Sequence, residues 1–337
     1  MKYDVIVVGA GLAGISAARY LADKGKSVLI FEQTNRIGGL CKEGHFKGTR
    51  FSIYGPHIFH TSNNKVWDFL SRFTNWNFYT HTVKSYCFGK LWNIPIDYDE
   101  VGNKEWDRKK IEDALYGDYT KKMWGSWYTI LDGSTIKRVS QKGGPKWDNR
   151  YFKDKYQAFP ANGYDEMFYK MTDHKNISIT LTSDFDIKWV DRATTVIYTG
   201  RIDKLLDNMD LPFRSMGFEI VLNGNFPWSD KYGVINFPRD FDFIRAHSSK
   251  ILYQQDTKED VVVFEYPGRV GAECYPVIYP ESKELYSKYF FKLIEKYPNV
   301  IPAGRLGRFE HMDMDEAVQS GIDAANQMLR GGKNAEM

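Results

Sequence analysis

The chain opens on a buried-strand pattern that runs directly into a glycine turn: Tyr3 to Val8 reads YDVIVV, and Gly9, Gly11 and Gly14 come next as GAGLAG. A short, nearly continuous apolar run suits a strand covered on both faces, as in a parallel sheet. The first glycine permits a tight turn, the second lets backbone approach a pyrophosphate, and the third lets helix and strand pack closely. A helix is expected from about Ile15 to Lys24, with Ala17, Ala18 and Leu21 on one face, then a second strand from Ser27 to Phe31. Phosphates would sit at the helix N-terminus. Glu32 ends that strand about 20 residues after the glycines, where an acid can accept both ribose hydroxyls.

NAD and FAD share this fingerprint, so the segment after Glu32 discriminates between them. Arg36, Ile37, Gly38, Gly39 and Leu40 form an RxGG segment, which can add backbone donors near a pyrophosphate and ribityl chain and favours FAD. Far along the chain, Gly304 and Arg305 begin a GRLG turn after the short run Asn299 to Pro302, and Asp313, Met314 and Asp315 mark a helix start. An acid beside helix-terminal N–H groups can hold a ribityl hydroxyl while those amides face the flavin or a phosphate. The cofactor is thereby bracketed by both ends of the sequence.

The 337 residues suffice for roughly two domains. Net charge is +3 with the signs interleaved, so no nucleic-acid or membrane-surface partner is implied. Cys41, Cys87 and Cys274 are widely spread and show no disulfide or metal spacing. Neither a signal segment nor an apolar run of about 18 residues opens the sequence, which reads as cytoplasmic. Trp106 to Trp124 is charged and helix-like, while ISITLT and TTVIYT between Ile177 and Glu219, with Val261 to Tyr266, suggest a sheet carrying the substrate side.

Four internal segments then carry a resemblance: YGPHIFHT at Tyr54 to Thr61, YTKKMWG at Tyr119 to Gly125, NRYFKDKYQAFPANGY at Asn149 to Tyr164, and GRLG with DMD near the C-terminus. Together they resemble the UDP-galactopyranose mutase family. The resemblance implies an FAD enzyme that interconverts pyranose and furanose sugar nucleotides, with N5 of the reduced flavin attacking the anomeric carbon. It implies Arg138 and Arg245 as diphosphate clamps, Tyr151 and Tyr275 as phosphate donors, Tyr119 stacking the base, and Trp124 on a mobile loop that closes over substrate. It sets His57 and His60 against the flavin and Asn93 beside the substrate. NAD(P)H is the external reductant it suggests, since the sequence holds no separate nicotinamide fingerprint.

The expected architecture is α/β: a doubly wound FAD-binding domain over 1–85 and 295–332 with parts of 160–210, a shortened helical insertion over 95–135, and a substrate-binding antiparallel sheet over 136–290. The insertion is shorter than the family's, so monomer and homodimer both remain open. His311 stands where the family usually has a tyrosine, and Phe309 replaces another; a histidine can still donate to phosphate. Three alternatives stay beside the main reading: another sugar nucleotide, an oxidoreductase of the amine-oxidase kind, and a binding protein without turnover.

Overall fold

The computed structural model describes residues 3–101, 107–131, 148–206, 210–224, 226 and 228–331. Its organising element is a five-stranded sheet in the order Ile177–Thr180, Val28–Phe31, Tyr3–Val8, Ala193–Tyr198, Val300–Pro302. Every neighbouring pair runs parallel. Successive side chains of a strand point to opposite faces, and the two faces bury different clusters. Val5 and Val7 pack with Ile15, Ala18 and Leu21 of the helix Leu12–Ala22. Ile6 turns the other way, towards Tyr289 and Leu293 of the helix Pro280–Lys296. The doubly wound arrangement results from that alternation.

The first helix starts at Leu12 rather than near Ile15 and stops at Ala22. Gly11 is its extended N-cap, so the helix begins as soon as the glycine turn is complete, and Gly25 adopts a left-handed φ of +79° just beyond the end. The long helix Met314–Leu329 lies against it. A Cβ on Gly321 would run into the Ala13 carbonyl, so that glycine permits the close crossing.

The runs ISITLT and TTVIYT do not build the substrate sheet. Ile177–Thr180 and Ala193–Tyr198 belong to the parallel sheet instead, because their apolar content fits a doubly covered strand as well as an open one. The substrate side is a seven-stranded sheet in the order Ala272–Pro276, Phe213–Leu222, Val261–Pro267, Arg245–Ser248, Val234–Asn236, Val83–Cys87, Lys90–Ile94. It is antiparallel except where Val234–Asn236 meets Val83–Cys87. Two of its strands therefore precede the helical insertion. That insertion comprises Tyr98–Val101, Arg108–Glu112, a wider π-type turn over Asp113–Asp118, and Tyr119–Trp124. A three-stranded sheet of Phe59–Thr61, Tyr156–Pro160 and Trp76–Phe78 completes the wall beside it. Among the described residues no helix is long and apolar enough to cross a membrane, and no group of three or more His, Cys, Asp or Glu could hold a metal.

Candidate active site

The nucleotide cradle forms where the glycine turn meets the RxGG segment. Gly9 takes φ +96°, and Gly38 and Gly39 take +119° and +56°, a region open chiefly to glycine. The Gly38 amide donates to the Ala10 carbonyl at 2.7 Å. A Cβ on Gly39 would lie 2.9 Å from the Gly11 Cα, so the two backbones touch with no side chain between them. Leu40 continues into the short turn Gly39–Cys41. Arg36 bonds the Glu43 carbonyl at 3.0 Å and approaches Asp165 at 3.6 Å. This side chain braces the loop.

Glu32 is buried at the end of its strand, where its carboxylate accepts from the Ala10 amide at 2.8 Å and from the Thr34 amide at 3.0 Å. Among the described residues no side chain caps the helix that starts at Leu12, so its first amides remain for an anion. The opposite bracket is present too. Gly304, at φ +72°, donates its amide to Ser320 at 2.9 Å, and Asp313 heads the helix Met314–Leu329 in a capping box with Glu316. Met314 receives the Tyr164 hydroxyl at 3.8 Å, and Asp315 accepts from Thr61 at 2.7 Å. An uncapped helix N-terminus, a backbone-only cradle and a buried acid at the end of the second strand fit FAD.

Beside the cradle lies a cavity of about 550 Å³, lined among others by His60, Tyr119, Trp124, Tyr151, Arg245, Tyr275, Arg305, His311 and Asp313. These residues come from the helical insertion, the seven-stranded sheet, the three-stranded sheet and the loop leading into its strand Tyr156–Pro160, and the C-terminal segment. The fold thus gathers onto one surface side chains that lie far apart in sequence. Arg245 is held on three sides: Nε donates to Asn236 at 3.2 Å, Nη1 to Glu265 at 3.4 Å and Nη2 to the Tyr119 hydroxyl at 2.6 Å. A guanidinium has five N–H groups, so two remain without a protein partner among the described residues. Burial is the largest single influence on Arg245 and opposes its charge, but Glu265 together with Tyr119, Tyr275 and Tyr151 outweighs it and holds the guanidinium above its ordinary range.

Arg305 is fixed differently. Its Nε donates to the Met312 carbonyl at 3.2 Å and its Nη1 to the Cys274 carbonyl at 3.4 Å, and it sits 5.3 Å over the Tyr275 ring. Carbonyls orient the guanidinium without neutralising it, and among the described residues no carboxylate lies within ion-pair distance. Arg305 therefore presents its guanidinium at the cavity wall without an ion-pair partner among the described residues.

Burial pushes the Tyr275 phenol up to about 12, with Arg305 pulling the other way, so it stays a hydrogen-bond donor. Burial also raises Tyr119, against the opposing pull of Arg245. Trp124 is buried at the end of its helix and meets His311 edge-on at 5.4 Å and Tyr275 at 6.3 Å; it is packed here, not on an open loop. His60 bonds Asp154 at 2.8 Å and stacks on Phe152. His57 bonds the Gly55 carbonyl at 2.9 Å, and burial lowers it to about 4; it does not line the cavity.

Two expectations need correction or qualification. Asn93 is no cavity residue: it sits opposite Lys84 in the sheet and accepts its ammonium at 2.5 Å. That strand turns it towards the lysine. Arg138 lies outside the described residues. Three further groups carry no signal in the sequence. Asn236 orients Arg245, while His81 lines the cavity with an Nδ1 that has no partner among the described residues. Lys122 donates to the carbonyls of Phe237 at 2.7 Å, Phe243 at 2.7 Å, and Phe241. Their partners lie more than a hundred residues away or on another strand, so local pattern could not show them.

A doubly wound dinucleotide fold joined to a seven-stranded sheet, with a cavity lined by arginines and aromatics beside them, defines a protein of flavoprotein type. The model of the NAD(P)-binding Rossmann-like domain matches residues 7–73, and the UDP-galactopyranose mutase model matches residues 114–311. A UDP-galactopyranose mutase of Mycoplasma pneumoniae is 30% identical over 98% of this chain and 97% of its own length. A dTDP-fucopyranose mutase of Escherichia coli is 25% identical over 98% and 99%. Among solved structures, a reduced UDP-galactopyranose mutase superposes with a TM-score of 0.73 at 15% identity, covering 97% of this chain and 96% of that one. A putrescine oxidase reaches 0.58 at 11% identity, covering 98% and 99%. The chain belongs to the UDP-galactopyranose mutase family of isomerases.

Proposed function

We propose that this protein binds FAD and, with the flavin reduced, interconverts UDP-galactopyranose and UDP-galactofuranose. The observation that carries the reading is the pairing of Arg245 and Arg305 in one cavity beside the nucleotide cradle. A departing nucleotide diphosphate needs cations, and guanidinium offers planar donors that stay charged at any working pH. Among the described residues, Arg245 brings two N–H groups without a protein partner, and Arg305 brings a charge with no ion-pair partner. Arg138 supplies a further clamp from a segment beyond the described residues.

Tyr151, Tyr275 and His311 donate to the phosphates, while Tyr119 and Trp124 face the base. His57 and His60 support the flavin, which when reduced supplies the nucleophile for the anomeric carbon. Glu32 takes the ribose hydroxyls, and Gly9, Gly11, Gly14, Gly38, Gly39, Gly304, Asp313, Met314 and Asp315 frame the cofactor. NAD(P)H is the external reductant, and the cytoplasm is the setting. An amine or polyene site would be apolar, which speaks against an oxidase despite the shared fold.

The test is to reduce the purified, FAD-loaded protein with dithionite and follow both UDP-galactose forms by chromatography. Interconversion only in the reduced state is expected. A yellow protein inert towards both, yet active on a dTDP-linked 6-deoxy sugar, would move the substrate to that of the E. coli relative. A protein that binds no FAD would overturn the reading.

A further inference from the structure

Arg245 shares its charge with a carboxylate on the next strand. Glu265 lies directly opposite it in the sheet, and Oε2 of Glu265 accepts from Nη1 of Arg245 at 3.4 Å. The other oxygen, Oε1, has no hydrogen-bond partner among the described residues, and the side chain is only 3% exposed. Oε1 abuts Gly55 instead, where a Cβ would come within 3.2 Å of it. On its other side Glu265 pairs with Phe218, which packs into an apolar cluster with Phe51.

Buried polar groups are normally satisfied, and a buried carboxylate persists as an anion only through the charge of its partner. Here that partner also faces the cavity with two N–H groups to spare. An anion bound to them would divide the guanidinium charge and add repulsion of its own, and both effects favour the neutral carboxyl.

The titratable and charged groups that face Glu265 come from four places: Arg245 and His247 on the neighbouring strand, Tyr119 on the helical insertion, Cys274 and Tyr275 on the strand Ala272–Pro276, and His57 just after Gly55. Burial raises the Tyr119 and Tyr275 phenols and the Cys274 thiol, so these keep their protons. It lowers His57 to about 4 and His247 to about 3, so these stay neutral. Burial also raises Glu265, against the opposing pull of Arg245. Of this set, Glu265 is the group with a proton to gain.

We propose that Glu265 takes up a proton from solvent when a nucleoside diphosphate binds Arg245, as a positioning residue that couples substrate binding to proton uptake. One O–H bond forms on the carboxylate and no protein bond breaks. The carboxyl still accepts from Arg245 through its carbonyl oxygen, while the guanidinium charge passes to the diphosphate. The inference rests on the proposed role of Arg245 but not on the identity of the sugar.

The experiment titrates UDP-galactose into FAD-loaded, oxidised protein by calorimetry in buffers of different ionisation enthalpy, from about pH 6 to pH 9, for wild type and Glu265→Gln. The diphosphate of UDP-galactose stays fully ionised over this range, so a proton taken up goes to the protein. Wild type should take up a proton on binding, and its Kd should rise with pH by up to about tenfold per unit. Glu265→Gln copies the protonated carboxyl, so it should bind without that proton and lose that dependence. Uptake that is absent throughout in wild type, or equal in the two proteins, overturns the inference; equal uptake would assign the proton to another cavity group such as His60.

Should Glu265→Gln fail to fold, infrared difference spectra of wild type with 13C-labelled glutamate decide. A glutamate carboxylate band gives way to a protonated carboxyl band as UDP-galactose binds if the inference holds, and unchanged bands overturn it. A protein that binds no nucleotide sugar sinks this inference together with the proposed function. One that converts UDP-galactose without the Glu265 proton keeps the function and loses the inference, and one that shows the proton only with a dTDP-linked sugar keeps the inference and loses the substrate.

Discussion

The Arg245 guanidinium donates to the Tyr119 hydroxyl at 2.6 Å, which ties the helical insertion to the central strand of the substrate sheet. The bond sets where the Tyr119 ring stands in the cavity. Tyr119→Phe keeps the ring and removes the bond, and a hydrogen bond to a charged group contributes about 1.5–3 kcal/mol. KM for the sugar nucleotide should rise at least tenfold with the flavin spectrum unchanged, as steady-state kinetics and a visible scan would show. Equal KM values in the two proteins would mean that the helix holds the ring without Arg245.

Gly39→Ala tests the cradle. The new Cβ would lie 2.9 Å from the Gly11 Cα on a backbone at φ +56°, so either the RxGG segment or the glycine turn must move. Strain of this kind costs on the order of 1–3 kcal/mol. Purified Gly39→Ala should carry less FAD per chain and melt at a lower temperature. Gly48→Ala is the control: φ there is +87°, but no described residue lies within 4 Å of its Cβ, so FAD content should stay at the wild-type level.

How much of this fold and site is legible in the sequence depends on how local each signal is. The glycine turn, Glu32 and the capping Asp313 can be read directly, because a turn or a cap is fixed by residues a few positions apart. Arg245, Tyr119 and Tyr275 are reached only through motif resemblance, and the fold then brings them together. Asn93 is misplaced by sequence reasoning because a pattern shows a strand but not which neighbour its side chain meets, and Lys84 meets it. ISITLT and TTVIYT mislead for a related reason: β-rich composition does not say which sheet a strand joins.

Lys122 illustrates what a sequence hides. Its ammonium ties the helix Tyr119–Trp124 to three carbonyls in the loop between Phe237 and Phe243, and Arg214 holds the Met123 carbonyl at 2.9 Å from the other side. Lys122→Met keeps the stem and loses the charge. Charge-assisted bonds contribute about 1.5–3 kcal/mol, so the helix should loosen and KM rise severalfold, while FAD content holds. Loss of FAD instead would show that the tether supports the cofactor domain.

Acid should destabilise the protein sharply, and the reason is a set of histidines held neutral. Burial lowers His57 to about 4 and both His81 and His247 to about 3, against about 6.5 in an unfolded chain. Below 6.5 the unfolded state therefore binds protons that the native state refuses. The stability these groups contribute is complete above that pH and is lost as the pH falls towards 3 to 4. Glu43 acts in the opposite sense. Burial raises it from 4.5 to about 7 despite Arg50 at 3.4 Å, so the native state takes up its proton first and stability falls as pH rises through that window. Each proton of difference changes stability by about 1.4 kcal/mol per pH unit, and three histidines outweigh one glutamate. Denaturation midpoints should therefore drop steadily from pH 6 to pH 4, and Glu43→Gln should steepen that drop by removing the opposing group. A midpoint that stays level across this range would mean that these histidines take up protons in the folded state, through contacts that the packing here does not supply.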